Sequence, residues 1–210
     1  MSSIDCDIIH HIGNIKGVTV SKIIAIACST GGPKALAEVI PALNNRINCP
    51  VVIVQHMTKG FTKTLADRLN LVSSLPVTEA EDGVKLENNK IYIAKAGKNF
   101  KVEPFRNEHR IVLTDEAIRQ GVKPCADYMF ESLANCKYDE IVCVVLTGMG
   151  SDSKDGIEFL KNKKKIKLIV QDKDSSVVYG MPGSVLKNNK DAIVKNIGEI
   201  GNEIIKLAEG

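Results

Sequence analysis

Three side chains that together could carry out acyl transfer stand on three separate polar stretches of this sequence. Ser29 lies in C-S-T-G-G-P-K, His56 in V-Q-H-M-T-K-G-F-T and Asp152 in L-T-G-M-G-S-D. In such a set the imidazole takes the serine proton, the carboxylate fixes the imidazole tautomer, and backbone N–H groups hold the oxyanion. Gly31 and Gly32 leave backbone N–H groups uncovered at the start of a helical pattern, where the helix dipole favours negative charge. Gly148 and Gly150 flank Met149 and allow that loop a close approach. The order Ser, His, Asp neither supports nor rejects a triad, because known triads differ in order.

Residues so far apart must be brought together by the elements before them. Each stretch follows an apolar run: Lys22–Ala27, Pro50–Val54 and Asp139–Leu146. A fourth run, Ile166–Val170, leads into V-Q-D-K-D-S-S-V-V-Y-G-M-P. Strands apolar along their whole length are those of a parallel sheet covered on both faces. The intervening segments Pro33–Leu43, Phe61–Leu69 and Ser153–Lys161 have helical spacing, and a further helix runs through Gly183–Lys187. The reading is therefore a doubly wound α/β fold, with a mostly parallel sheet and helices on both faces. Ligands of such sheets bind in the crevice beyond the carboxyl ends of the strands, where all four polar stretches fall.

Other segments carry simpler expectations. Val77–Asp115, with Asp82-Gly83, Asn88-Asn89 and alternating runs at Lys90–Ala94 and Phe100–Val102, reads as one or two inserted β-hairpins. The lysine-rich tract 161–167 reads as a solvated helix end. Residues 191–208 read as a closing amphipathic helix, with Ile193, Ile197, Ile200, Ile204 and Leu207 on one face. Residues 1–20 are weakly patterned; the adjacent His10 and His11 there could hold a metal, but adjacent histidines in a polar leader are usually just exposed.

Composition excludes several classes. The 210 residues are 44% hydrophobic and 25% charged, ordinary values for a chain that buries a full core. A net charge of +3 is too small to argue for nucleic acid, and 4% aromatic residues without Trp offer no stacking platform. The six cysteines form no C-x-x-C pair and read as reduced thiols of a cytosolic protein. No apolar stretch reaches the ~18 residues of a membrane span, and the first twenty residues lack the pattern of a signal peptide.

Each site residue also has a plainer role open to it. Ser29 could be a helix N-cap, His56 could bond a backbone carbonyl, and Asp152 could cap the helix after it. Asp155 and Asp172 are rival acids. Cys28 could be a nucleophile, but neighbours along a strand face opposite ways, so a crevice-facing Ser29 turns Cys28 inward. As a phosphate loop, C-S-T-G-G-P-K lacks G-x-x-x-x-G-K-S/T, and G-M-G-S-D-S lacks a third glycine.

Taken together, S-T-G-G-P-K-A-L, Q-H-M-x-K-G-F-T, L-T-G-M-G-S-D and Q-D-x-x-S-S-V-V-Y-G-M-P resemble the catalytic domain of the bacterial chemotaxis methylesterase, the CheB family. The resemblance runs from Lys22 to about Lys190. It implies hydrolysis of glutamate γ-methyl esters on methyl-accepting chemotaxis receptors, with release of methanol, and deamidation of certain receptor glutamines. It implies Ser29 as nucleophile, His56 as general base and Asp152 as orienting acid, with Thr30 and Met149 at active-site positions beside them; the N–H groups of those two are our candidate oxyanion donors. No metal or organic cofactor is implied, and we expect a cytoplasmic monomer. A non-catalytic partner-binding or phosphate-binding relative is the alternative.

Several positions depart from the family pattern. The strand before Ser29 ends A-C rather than G-A, and Thr58 stands where proline is usual. In Y-I-A-K-A-G-K-N-F, Lys95, Ala96 and Asn99 replace proline, glycine and histidine, and Cys125 and Ala126 are substituted where the family has P-S-V-D. Family members commonly carry an N-terminal phospho-receiver domain. Here we expect a tail or linker remnant over residues 1–20 and a single catalytic domain over 21–210 with no receiver domain; the sequence is either a free-standing esterase, which phosphorylation in cis would not regulate, or the catalytic part of a longer protein.

Overall fold

The computed structural model describes residues 21–209. The expectations for the leader, including His10, His11 and Cys6, lie outside the described residues. Seven strands form one sheet in the order β3-β4-β2-β1-β7-β8-β9, and every pairing in it is parallel. The strands are β1 (Lys22–Cys28), β2 (Val51–Gln55), β3 (Val77–Glu79), β4 (Ile91–Ile93), β7 (Glu140–Val145), β8 (Lys165–Gln171) and β9 (Ile193–Lys195). Strands β5 (Asn99–Phe105) and β6 (Glu108–Thr114) form a separate antiparallel pair.

Period-two alternation sorts the central strands between two cores. Ile23, Ala25 and Ala27 of β1 face one layer, together with Val52 and Val54 of β2. Helices α3 (Ala126–Leu133), α4 (Lys154–Lys161) and α5 (Gly180–Leu186) cover that face, contributing Phe130, Ile157 and Val185. Ile24, Ile26 and Cys28 face the other layer with Val51 and Ile53, under α1 (Gly32–Val39), α2 (Phe61–Asn70) and α6 (Ile197–Glu209). Strands β1, β2 and β7 are buried along their whole length, which is why their sequences show no polar alternation.

Three expectations are corrected. Lys90–Ala94 does not belong to a hairpin: β3 and β4 extend the parallel sheet at its edge, and only β5 and β6 form the inserted hairpin. The three-residue length of β3 and β4 hid their parallel pairing. Ile193 lies in β9 rather than in the closing helix, which begins at Ile197. The lysine-rich tract is a helix end only at Lys161; the rest of it is a turn and the start of β8. Helix α4 stops at Lys161 and β8 starts at Lys165, while Lys164 Nζ donates to the carbonyl of Cys136 (2.6 Å) and Lys165 pairs with Glu140 (2.6 Å).

Strand β1 lies between β2 and β7, and the chain winds outward from it in both directions. The crevice at the carboxyl ends of these three strands is the switch point where ligands bind in open parallel sheets.

Candidate active site

Register places Ser29 beside His56. The last β1–β2 pair is Cys28↔Gln55, and the next residues are Ser29 and His56, with the His56 N–H donating to the Cys28 carbonyl (3.1 Å). Cys28 and Gln55 point to one face, where the Cys28 thiol donates to Gln55 Oε1 (3.0 Å). Alternation turns Ser29 and His56 to the other face, continuing the rows Ala25, Ala27 and Val52, Val54. That is the face covered by α3 and α4.

Asp152 arrives there from the loop after β7. Its Oδ2 accepts from His56 Nε2 at 2.7 Å, with both side chains nearly buried (9% and 3% exposed). With Nε2 engaged, Nδ1 is the ring nitrogen left for a serine proton, and it is buried without a partner. Ser29 Oγ makes no hydrogen bond to the imidazole among the described residues. Nucleophile–base contacts of resting sites are often long and tighten only with substrate. Asp152 also accepts from the N–H groups of Ala126 (2.6 Å), Asp127 (2.9 Å) and Ser153 (2.8 Å) and from the Cys125 thiol (3.1 Å). Burial works against its charge, but the bonds from His56 and the Ala126 N–H outweigh it and hold the carboxyl below its ordinary value.

The rival acids stand elsewhere. Asp155 is 58% exposed and 4.0 Å from Arg119. Asp172 accepts from the Ser175 N–H (2.9 Å) in its own loop. Cys28 is fully buried, which pushes its thiol pKa up and leaves it no nucleophilic thiolate.

The glycines have structural reasons that can be read atom by atom. A Cβ on Gly32 would lie 1.9 Å from Gln55 Oε1, and one on Gly148 would lie 2.9 Å from the Ser29 Cβ and 2.3 Å from Met181 Sδ. Gly31 has φ +84°, and Val177 fills the space against it, 2.7 Å from where a Cβ would sit, so the Gly-Gly turn is no open phosphate cradle. Thr30 and Met149 are exposed, Met149 by 74%, and neither backbone N–H is donated to another described residue.

Residues that sequence reasoning missed hold the loops together. Gln55 Nε2 donates to the carbonyls of Ser29 (3.0 Å) and His56 (2.9 Å). Gln171, at the same place on β8, accepts from the Thr147 N–H (2.7 Å) and donates to the Ser175 carbonyl (2.9 Å). The Thr147 hydroxyl donates to the Thr30 carbonyl (2.9 Å), and the Ser29 N–H donates to the Thr147 carbonyl (3.0 Å). The signal was present: both strands end V-Q, a polar residue closing an apolar run. Asn99, one of the departures, is buried; its Oδ1 accepts from the Cys125 N–H (3.1 Å) and ties the hairpin to the start of α3.

Cys125 Sγ and carboxyl oxygens of Asp127 and Asp152 lie within 4.8 Å of one another, a grouping that could offer metal ligands. Their atoms are already engaged, however. Asp152 accepts from five donors, and Asp127 accepts from the Gly156 N–H (2.7 Å) and from Gln120. The cluster is organised around N–H groups.

The family model described as CheB methylesterase matches residues 24–204. The chain belongs to the CheB methylesterase family. A protein-glutamate methylesterase/protein-glutamine glutaminase of Bacillus licheniformis is 42% identical over 184 residues, covering 88% of this chain and 52% of that protein. The Archaeoglobus fulgidus protein of the same name is 37% identical over 197 residues, covering 94% of this chain and 56% of its own length. The crystal structure of the Thermotoga maritima CheB methylesterase catalytic domain superposes with a TM-score of 0.85 at 35% identity, covering 89% of this chain and 98% of that one. The chain thus spans about half the length of the curated relatives it matches and nearly all of the solved CheB catalytic domain.

Proposed function

We propose that this chain is a serine hydrolase that removes methyl groups from glutamate γ-methyl esters of methyl-accepting chemotaxis receptors. The observation that carries the reading is the His56–Asp152 bond of 2.7 Å, formed on the sheet face to which register turns Ser29. Ser29 Oγ attacks the ester carbonyl as His56 Nδ1 takes its proton. Asp152 holds Nε2–H and the imidazolium charge. The Thr30 and Met149 N–H groups, left undonated, receive the oxyanion. Collapse expels methoxide, which leaves as methanol with the proton from His56. Water, deprotonated by the same base, then hydrolyses the acyl-enzyme to a free carboxylate. A glutamine side chain follows the same path with ammonia as leaving group, the activity carried in the relatives' second name.

The partner is a protein substrate, the reaction needs no cofactor, and we place the chain in the cytoplasm as a monomer. The five described cysteines are free thiols, in keeping with a reducing compartment, and no described helix is long and apolar enough to cross a membrane. The test is methanol release from a methylated chemoreceptor cytoplasmic fragment, with the parent and Ser29→Ala compared. Release by the parent alone supports the reading; release by both variants refutes Ser29 as nucleophile.

A further inference from the structure

Helices α3 and α4 begin without caps of their own. The N-cap residues, Cys125 and Ser153, make no side-chain bond to their helix, and Ser153 sits at φ +89°, a backbone conformation costly for a residue with a Cβ. The caps are exchanged instead. Asp152, just before α4, accepts the first two N–H groups of α3, Ala126 (2.6 Å) and Asp127 (2.9 Å). Asp127, in the first turn of α3, accepts the Gly156 N–H of α4 (2.7 Å). The two helix starts are so close that a Cβ on Gly156 would lie 2.6 Å from the Asp127 Cα.

Asp127 is completely buried, and its other oxygen is held by Gln120 and faces Arg119 Nε at 3.5 Å. Gln120 in turn accepts from Ser151 Oγ (2.9 Å), in the loop that carries Asp152. Asp127 thus reaches Asp152 through its own N–H, and reaches the segments on either side of it through Gly156 and through Gln120 and Ser151; none of its hydrogen bonds among the described residues goes to Ser29 or His56.

From this clasp we infer that Asp127 is a positioning residue: by capping α4 it fixes the start of that helix, and so the distance at which Asp152 meets His56. The inference rests on the reading of Asp152 as the orienting acid. The requirement is strict because misplacing a reacting group by ~1 Å can cost ~10²-fold in rate. Loss of a buried acceptor also leaves the Gly156 N–H unpaired.

The test needs no receptor. An aryl fluorophosphonate esterifies an activated serine: the Ser29 Oγ–P bond forms, fluoride leaves, and His56 takes the hydroxyl proton. Its maximal rate (kinact) reports the nucleophile and base, and its half-saturation constant (KI) reports binding. Parent, Asp127→Ala, Asp127→Asn and Asp152→Ala are compared well below their melting temperatures. The clasp predicts that Asp127→Ala lowers kinact by tenfold or more with KI within twofold. Asp127→Asn keeps an acceptor for Gly156, its NH₂ meets Gln120 once that amide turns to present Oε1 and the Ser151 hydroxyl turns to accept, and it stays within threefold of the parent. A parental kinact in Asp127→Ala, with only a lower melting temperature, overturns the inference. So does an equal loss in both variants, which would make the charge rather than the bond the cause. Should Asp127→Ala fail to fold, Asp127→Asn decides alone, and a tenfold loss refutes. Asp152→Ala separates the two levels. If it labels at the parental rate, the reading of Asp152 fails. If it is inert while Asp127→Ala labels normally, only the clasp falls.

Discussion

Replacing Asp152 by asparagine changes one atom and should disable the site for a specific geometric reason. Oδ1 accepts from the N–H groups of Asp127 (2.9 Å) and Ser153 (2.8 Å) and from the Cys125 thiol (3.1 Å). Oδ2 accepts from His56 Nε2 (2.7 Å) and the Ala126 N–H (2.6 Å). A carboxamide has one oxygen, so its NH₂ must oppose one of these sets. The less costly orientation keeps the three bonds at Oδ1 and turns the NH₂ toward His56 and Ala126. The imidazole must then accept at Nε2 and carry its proton on Nδ1, the nitrogen needed for the serine proton. A forced wrong tautomer of this kind lowers turnover ~10⁴-fold, or about 5 kcal/mol of barrier. The buried Ala126 N–H also loses its acceptor, at ~1–3 kcal/mol of stability. In a domain of this size each of those kcal/mol lowers the melting temperature by about 2–4 °C. The assay pairs fluorophosphonate kinact with thermal melting. A labelling rate within tenfold of the parent, with melting lowered as expected, would refute the tautomer argument and leave Asp152 as a helix cap only.

Two further outcomes follow from the same geometry. In Gly148→Ala the new methyl would sit 2.9 Å from the Ser29 Cβ and 2.3 Å from Met181 Sδ; Met181 can swing aside but Ser29 cannot, so labelling should fall by at least tenfold, and parental kinetics would show that the loop yields instead. Asp127 gives a pH signature: burial, reinforced by the charge of Asp152 and opposed by Arg119 and the Gly156 N–H, pushes its carboxyl from 3.8 up to about 6. A raised carboxyl pKa penalises the ionised fold, so the parent should lose stability relative to Asp127→Asn as pH climbs from 3.8 to about 6. Asp152, held below its ordinary value, contributes in the opposite sense, and only at lower pH. Melting curves between pH 4 and 8 check this; a parent-to-variant difference constant over that window would mean that Asp127 does not titrate there.

The candidate site was legible in the sequence because the residue types and the ends of apolar runs coincide. Ser29, His56 and Asp152 each follow a strand buried on both faces, and such strands show plainly as runs of Ile, Val, Ala and Cys with polar residues only at their ends. Parallel pairing then carries the last register pair, Cys28↔Gln55, forward to Ser29 and His56, the proposed nucleophile and base. The short strands toward the edges of the sheet were harder to read. With three residues each, β3, β4 and β9 are too short to show a period, so β4 passed for part of a hairpin and Ile193 for part of a helix. The clasp could not be read at all. Asp127 looks like any acidic residue in a first helical turn, and nothing along the chain says that its acceptor serves a helix 29 residues away. Gln55 and Gln171 fall between these cases, visible as polar ends of apolar runs but with partners only the fold supplies.

The central claim is that Ser29 is a nucleophile activated by His56. It is tested most directly by exposing the folded parent chain and His56→Ala to the fluorophosphonate and mapping the adduct by peptide mass spectrometry. The account predicts one adduct per parent chain, on Ser29, and labelling of His56→Ala slowed by a thousandfold or more. An adduct on another residue, or equal labelling of the two proteins, would contradict it.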